Sequence, residues 1–191
     1  MDLTALVFSS GWASGVNAYA TVAMLGLLER FSNTPVVPEA LGRTDVLAIA
    51  STMFLVEFVV DKVPWLDSVW DGISTFIRPT VGALVAWQLS GDASSVDQAF
   101  LIALGGGTAL ASHGVKSGIR LAVNTSPEPF TNSIVSTGED ISVIAVVALA
   151  VAHPWASLGV SASLLLVGMV AVALLWRTIS RARRRRSTAT P

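Results

Sequence analysis

The sequence predicts an all-α fold, a polytopic membrane bundle of about six spanning helices. Of the 191 residues 52% are hydrophobic and 13% are charged, whereas soluble domains carry about 25% charged residues. The mean hydropathy is +0.66. Residues 3–28 and 141–176 contain no charged residue, and such stretches are too long for the core of a domain of this size. An ordinary soluble domain is therefore excluded.

The apolar segments give six spans in order, each near the roughly 17–25 residues that a bilayer requires. They cover residues 3–30, 44–63, 66–90, 97–122, 137–153 and 155–178. Pro64-Trp65 and Pro154-Trp155 lie between neighbouring spans, where proline ends a helix and tryptophan favours the headgroup level, so each predicts a tight hairpin. The domains are thus a bundle at 1–178 and a basic tail at 179–191.

Two spans are predicted to be irregular. Residues 9–17 contain two glycines, three serines and Asn17, a composition that weakens a helix and predicts a break in the first one. Ser136 to Glu139 and Thr137 to Asp140 have the capping-box spacing, so span five should begin there. Residues 124–136 would then form either a surface loop or a re-entrant segment covered by protein.

A faint internal similarity relates the two halves, 1–90 and 97–178. Gly11-x-x-Ser14-Gly15 matches Gly114-x-x-Ser117-Gly118, and three spans per half would invert the second half, as in many transporters. The same glycine spacings also allow close packing between helices. From these glycine faces we expect a homodimer.

The net charge of −1 hides an asymmetry. Six of the twelve basic residues lie in the last fifteen positions, which leaves 13 acidic and 6 basic residues in 1–176. The positive-inside rule places the arginine tail in the cytoplasm, against anionic headgroups, and an even number of spans places the N-terminus there too. We expect a protein of the bacterial inner membrane. No aromatic residue interleaves with the arginines, so we expect no nucleic-acid partner.

Signatures of enzymes are lacking, and we expect no catalytic activity. The chain has no cysteine, which excludes disulfides and thiolate chemistry. Gly105-Gly106-Gly107 lacks the Gly-Lys-Ser/Thr ending of a phosphate loop, and His113 and His153 lack the spacing of a zinc protease. His113 is interpreted as a polar interface residue.

Ten ionisable residues fall within the spans or at their edges, where each costs at least about 2.5–3.5 kcal/mol unless it is paired or wet. They are Glu57, Asp61, Lys62, Asp67, Asp71, Arg78, Lys116, Arg120, Glu139 and Asp140. Acids recur at i and i+4 on spans two and three, while Lys116 and Arg120 share a face of span four. We therefore expect these faces to meet and neutralise each other.

Six acids against four bases leave a charge of −2, which must be protonated, hydrated or bound to a cation. This predicts a small transporter or channel for a cation or a proton-coupled solute. The expected ion-binding or proton-carrying residues are Glu57, Asp61, Asp67, Asp71, Glu139, Asp140 and Asn17, and the charge-pairing residues are Lys62, Arg78, Lys116 and Arg120. No cofactor is certain; any metal would be a hard ion such as Mg²⁺, Ca²⁺ or Na⁺, held by Glu57, Asp61, Asp67 and Asp71.

Two alternatives stay open. The charges could form a self-neutralised core of a structural or lipid-organising protein. Alternatively, Arg78, Lys116 and Arg120 could hold an anion or a lipid headgroup beside a half-helix end at residues 15–17, in a binding protein or a lipid-active enzyme.

Several blocks of the sequence resemble a bacterial integral-membrane family, the domain of unknown function 4126. They are Ser14-Gly15-Val16-Asn17-Ala18-Tyr19, Glu57-Phe58-x-x-Asp61-Lys62-x-Pro64-x-x-Asp67-x-x-Trp70-Asp71, Phe76-Ile77-Arg78-Pro79-x-x-Gly82, Ser126-Pro127-Glu128-Pro129, Asn132 and Gly138-Glu139-Asp140. The resemblance covers nearly the whole chain except the arginine tail. It implies a small multi-span membrane protein with no assigned activity, whose signature coincides with the polar residues above.

Overall fold

A computed structural model describes residues 3–32, 34–63, 65–91, 93–123 and 129–187. Within these ranges the chain forms eight α-helices and no strand, which confirms the all-α prediction. The helices are α1 Leu3–Val16, α2 Ala18–Ser32, α3 Glu39–Gly42, α4 Thr44–Val60, α5 Leu66–Leu89, α6 Ser95–Val123, α7 Pro129–Ala152 and α8 Pro154–Ser187.

Two of the described helical segments, Asn132–Ala152 and Pro154–Thr178, are long and apolar enough to cross a membrane. α1 and α4 have 14 and 17 residues, and α5 and α6 carry half of the charged residues of the predicted site. Length and composition thus hint only weakly at a membrane protein, and the count of six spans stays a prediction.

The distribution of side chains is the reverse of that in a soluble protein. Arg78, Arg120 and Glu57 are among the largest fully buried side chains, whereas Trp65 and Phe76 are 80% and 79% exposed. The apolar core consists mainly of small and medium side chains, such as Ala13 and Val147, although it also contains Trp12. Large apolar residues therefore cover the outside, and ionisable residues occupy part of the inside.

The predicted break in the first helix lies at Asn17, where α1 ends and α2 begins. The side-chain Oδ1 of Asn17 accepts the backbone N–H of Ala20 at 2.9 Å, in the manner of an N-cap. The hairpin at His153-Pro154 is also present, since α8 begins at Pro154, a first-turn position that suits proline. Pro64 lies outside the described residues, but Trp65 beside it has φ of 78° and precedes α5 directly.

The predicted start of the fifth span at residue 137 is wrong, because α7 already begins at Pro129. Proline is preorganised for the first helical position and needs no N–H partner there. The hydroxyls of Ser136 and Thr137 donate instead to the carbonyl oxygen of Ser133, at 3.2 and 2.8 Å. Residues 129–135 are thus helical, while 124–128 lie outside the described part of the chain. α8 extends to Ser187, into the predicted tail.

Close packing through glycines sets the direction of α1 against α6. A Cβ on Gly11 would lie 2.6 Å from the carbonyl oxygen of Gly105, and one on Gly15 would meet Ala109 and Ser112. Later residues of α1 thus contact later residues of α6, which means that the two helices run parallel and begin at the same end of the bundle.

This direction contradicts two expectations. The predicted topology put the N-terminus and the 90–97 connection on opposite sides, and inverted halves require spans one and four to be antiparallel. Both treated residues 3–30 as a single crossing with a broken helix, although the chain changes helix at Asn17 and α2 packs mainly on α3, α4 and α7.

The glycine faces that suggested a homodimer are mostly occupied within the chain. Gly11 and Gly15 contact α6, and Gly118 contacts Val172 of α8, whereas a Cβ added at Gly114 would have no described atom within 4 Å. The alternative interpretation of these spacings, close helix packing, is confirmed, and the homodimer stays a prediction.

Candidate functional site

Eight ionisable side chains meet in one buried cluster, which we call the charged network. Seven come from α4, α5, α6 and α7, and the eighth is Asp61, the residue directly after α4. Its members are Glu57, Asp61, Asp67, Asp71, Arg78, Lys116, Arg120 and Glu139. Glu139 has 16% of its side chain exposed and Asp71 has 7%, while the others have 2% or less. The predicted meeting of acidic and basic faces is therefore present.

Arg78 of α5 joins α4 to its own helix. Its Nη2 lies 2.6 Å from Glu57 Oε1 and 3.3 Å from Asp71 Oδ1. Its Nη1 donates to the carbonyl oxygen of Gly15 at 3.2 Å. One guanidinium thus connects α4, α5 and the end of α1.

Lys116 of α6 lies among three carboxylates. Its Nζ is 2.8 Å from Asp61 Oδ2, and 3.6 Å from both Glu57 Oε1 and Glu139 Oε2. The same ammonium donates to the carbonyl oxygen of Val16 at 3.0 Å. It therefore lies directly between carboxylates at the end of α4 and a carboxylate of α7.

Arg120, one turn further along α6, joins α4, α5 and α7. Its Nη2 lies 2.6 Å from Glu139 Oε2 and 3.3 Å from Asp61 Oδ2, and its Nη1 lies 3.5 Å from Asp67 Oδ2. Asn132 supports it: the amide oxygen accepts from Arg120 Nη1 at 2.8 Å, and the amide nitrogen donates to the Asp61 carbonyl oxygen at 2.9 Å.

The break at Asn17 supplies backbone acceptors to this cluster. In a continuous helix the N–H of Ala20 would bond the carbonyl of Val16, but it donates to Asn17 Oδ1 instead. The Val16 carbonyl thus becomes available to Lys116. Carbonyls at a helix C-terminus carry partial negative charge, so the end of α1 helps to stabilise the positive charges of Arg78 and Lys116.

Three predicted site residues lie beside the network. Asn17 Nδ2 donates to Asp140 Oδ1 at 2.9 Å, so this pair connects the helix break to α7. Lys62 donates to the Phe58 carbonyl oxygen at 3.1 Å and to Ser136 Oγ at 3.4 Å, and its ammonium lies over the Phe58 ring. In the described part of the chain neither Lys62 nor Asp140 forms an ion pair with the network, and the pairing role expected of Lys62 stays a prediction.

His113 belongs to the site, contrary to its interpretation as an interface residue, since it is 2% exposed. Its Nδ1 lies 2.9 Å from Arg78 Nη1, and because arginine only donates, Nδ1 must be the acceptor. The proton of the neutral ring is then on Nε2, which lies 3.0 Å from Thr75 Oγ1 and 3.3 Å from Ser117 Oγ. In the sequence, His113 lies three residues before Lys116 and so on the same face of the helix, which could have indicated that it belongs to the site. Asn132 was visible only in the family resemblance.

The network is not electrically balanced. Its five carboxylates face three cations, which leaves two negative charges in excess if every group is ionised. Glu57 Oε2 and Asp61 Oδ1 are buried and have no hydrogen-bond partner among the described residues. Buried carboxylate oxygens in this situation need a proton, water or a cation.

Two clefts reach the network from different sides of α6. A cleft of about 270 Å³ between α1, α6, α7 and α8 ends at Lys116 and Glu139. Another of about 150 Å³ between α5 and α6 ends at Asp71 and Arg120. Members of the charged network therefore line two different clefts.

The described side chains do not form a metal site. Within the described ranges no three His, Asp or Glu side chains are grouped so that they could hold a metal ion. Glu57, Asp61, Asp67 and Asp71 each face a basic group instead.

Comparison with protein families matches most of the chain. The model of the family described as Domain of unknown function (DUF4126) matches residues 4–176. No curated protein and no solved structure matches the chain significantly. All residues of the charged network lie within the matched range.

Proposed function

The chain belongs to the DUF4126 family, and from this premise, which assigns no activity, we propose a function based on the charged network. The protein is a small integral-membrane transporter or channel that carries a cation, or a proton coupled to a small solute. The observation that carries this proposal is the excess of two negative charges in a buried cluster that two clefts reach.

A membrane location is supported by the exposed apolar surface. Soluble monomers rarely expose apolar patches above a few hundred Å², whereas α8 exposes the neighbouring residues Leu166, Val167 and Val170 by 60%, 67% and 51%. We place the protein in the bacterial inner membrane with the arginine tail in the cytoplasm. Anionic headgroups would contact that tail.

Transport is supported by the placement of the charges. A self-contained core would gain most from an equal number of acids and bases, because each unpaired buried charge costs several kcal/mol. A mobile positive charge would neutralise the surplus carboxylates, and Asp71 and Glu139, which each line a cleft, are the members of the charged network that it would meet first.

The test is reconstitution in liposomes with a panel of H⁺, Na⁺, K⁺ and Mg²⁺ gradients. We expect flux of one ion in the wild type and strong reduction in Glu57→Gln and Asp71→Asn. Asp97→Asn is the matched control, because Asp97 is exposed at the start of α6 and accepts from Ser94. No flux of any ion, or equal flux in all variants, would contradict the proposal.

A second candidate is a structural membrane protein. It is favoured by the fact that Arg78, Lys116 and Arg120 each approach at least two carboxylates, which is typical of a network that fixes helix packing. In that case Glu57→Gln would reduce thermal stability in detergent, and the wild type would carry no ion.

Anion or headgroup binding has less support, because the same contacts already engage the three cations. We keep the expectation that the protein is not an enzyme. The homodimer, and a hard cation such as Mg²⁺, Ca²⁺ or Na⁺ as the carried ion, are further proposals that the ion panel and cross-linking in membranes would test.

A further inference from the structure

The amine of Lys116 occupies a position between a partly exposed carboxylate and two buried ones. Glu139 Oε2 lies 3.6 Å from Nζ on the side of the larger cleft, Asp61 Oδ2 lies 2.8 Å away, and Glu57 Oε1 lies 3.6 Å away. All three distances allow a hydrogen bond after a small movement of a flexible side chain.

The other basic members of the network cannot do what Lys116 can. Arginine keeps its proton under all ordinary conditions, whereas a buried lysine can release and regain one. His113 faces Arg78, Thr75 and Ser117 and so lies away from the Glu139 side. Lys116 is thus the one amine of the charged network that can exchange a proton with carboxylates on two helices.

We propose, on the basis of the function above, that the carried cation is the proton and that Lys116 relays it between Glu139 and the buried pair Asp61 and Glu57. A proton arriving through the larger cleft makes Glu139 a neutral acid. Lys116 gives its own proton to the Asp61 carboxylate and takes the proton of Glu139. Glu139 is then a carboxylate again, Asp61 is a neutral acid, and the charge of Lys116 is unchanged, so the step needs no other reactant.

The geometry explains how each participant is held for this step. Arg120 holds Glu139 at 2.6 Å and Asp61 at 3.3 Å, which keeps both acids near the amine. The Val16 carbonyl oxygen accepts a hydrogen bond from the Lys116 ammonium and so helps to keep the amine in position. The second oxygens of Glu57 and Asp61 are unpartnered within the described residues, so no donor at these atoms stabilises the ionised form of either acid against protonation.

The experiment compares two substitutions of lysine by arginine. Purified protein is reconstituted into liposomes that contain a pH-sensitive dye, and a potassium diffusion potential drives proton entry. Lys116→Arg keeps the charge and the ion pairs but cannot relay, and we expect proton flux to fall by about a hundredfold, the lower range for a lost acid–base group. Lys62→Arg is the matched control, because Lys62 lies outside the charged network, and its flux should equal that of the wild type.

The outcomes separate the two proposals. A wild type without proton flux contradicts this inference, and the absence of flux for every other ion as well contradicts the proposed function. Proton flux that is equal in the wild type and Lys116→Arg overturns the relay and leaves the proposed function standing.

A second variant covers the case in which Lys116→Arg does not fold, judged by gel filtration and circular dichroism. Glu139→Gln removes the partly exposed end of the relay, and undiminished proton flux in this variant would overturn the inference. A hydrophobic carbodiimide, which reacts with protonated carboxyl groups, should label Glu139 in the wild type and block its flux. Absence of labelling at Glu139 across the pH range would also count against the relay.

Discussion

Arg78 and Glu57 form an ion pair of 2.6 Å between α5 and α4, and both side chains are 1% exposed. At that depth each charge depends on the other, because water cannot replace the lost partner. Removing one partner of a buried pair costs about 3–5 kcal/mol, whereas replacing both is often close to neutral.

The first prediction is a thermodynamic cycle on this pair. Arg78→Met should destabilise the protein by about 3–5 kcal/mol, because Glu57 and Asp71 lose their nearest cation. The double variant Arg78→Met with Glu57→Gln should recover part of that loss. Unfolding in detergent, followed by circular dichroism, measures the free energy of unfolding of each variant. A double variant that is less stable than Arg78→Met would show that the pair is not the dominant contact.

The second prediction concerns His113. An unprotonated Nδ1 accepts from Arg78, so His113→Leu leaves a buried N–H of the guanidinium unpaired and should cost about 1–3 kcal/mol. Asparagine can place an acceptor near the Nδ1 position and should cost less. Nitrogen chemical shifts of the ring report the tautomer directly, and a proton on Nδ1 would contradict the assignment.

The third prediction compares two glycines. Gly15→Ala would force a Cβ against Ala109 and Ser112 and should lower stability by about 1–3 kcal/mol, as overpacking does. Gly107→Ala is the control, since no atom of the described residues lies within 4 Å of a Cβ added at Gly107. It should gain up to about 1 kcal/mol from helix propensity. The same melting experiment measures both, and equal effects would refute the close approach of α1 and α6.

The fourth prediction tests the parallel course of α1 and α6. The chain lacks cysteine, so single cysteines can be labelled in membranes without background. Thr4→Cys and Ser95→Cys should react with an impermeant thiol reagent from one side, and Thr178→Cys from the other, because α8 also runs parallel to α6, with Gly168 beside Val115 and Gly118 beside Val172. Labelling of Thr4→Cys and Thr178→Cys from the same side would restore the topology expected from the sequence.

The sequence was sufficient for the meeting of charged faces and for the helix break. Spacings of i and i+4 fix which face of a helix a residue occupies, and an uncovered charge in an apolar bundle is so costly that acids and bases must find each other. Asn17 and the neighbouring glycines marked the break for a local reason, since their weak helix propensity acts within the segment itself.

The directions of the helices and the start of α7 depend on contacts between distant residues, which local patterns do not contain. Two overlapping capping boxes at residues 136–140 predicted a later start, whereas α7 begins at Pro129, and Asn132 near its start is bonded to Arg120 and Asp61. Lys62 lies one residue after Asp61, and its side chain projects from a different side of the helix end, toward Phe58 and Ser136. Counting charges could not reveal that difference in orientation.

The separation of the paired charges along the chain has a consequence for biosynthesis. Glu57 and Asp61 are made well before Lys116 and Arg120, with which they pair. A helix that entered lipid alone with two carboxylates would bear a cost of several kcal/mol until its partners arrived. For a protein of the membrane, α4 and α5 should therefore wait beside the insertion machinery until α6 has been synthesised, and enter the bilayer with it as one unit.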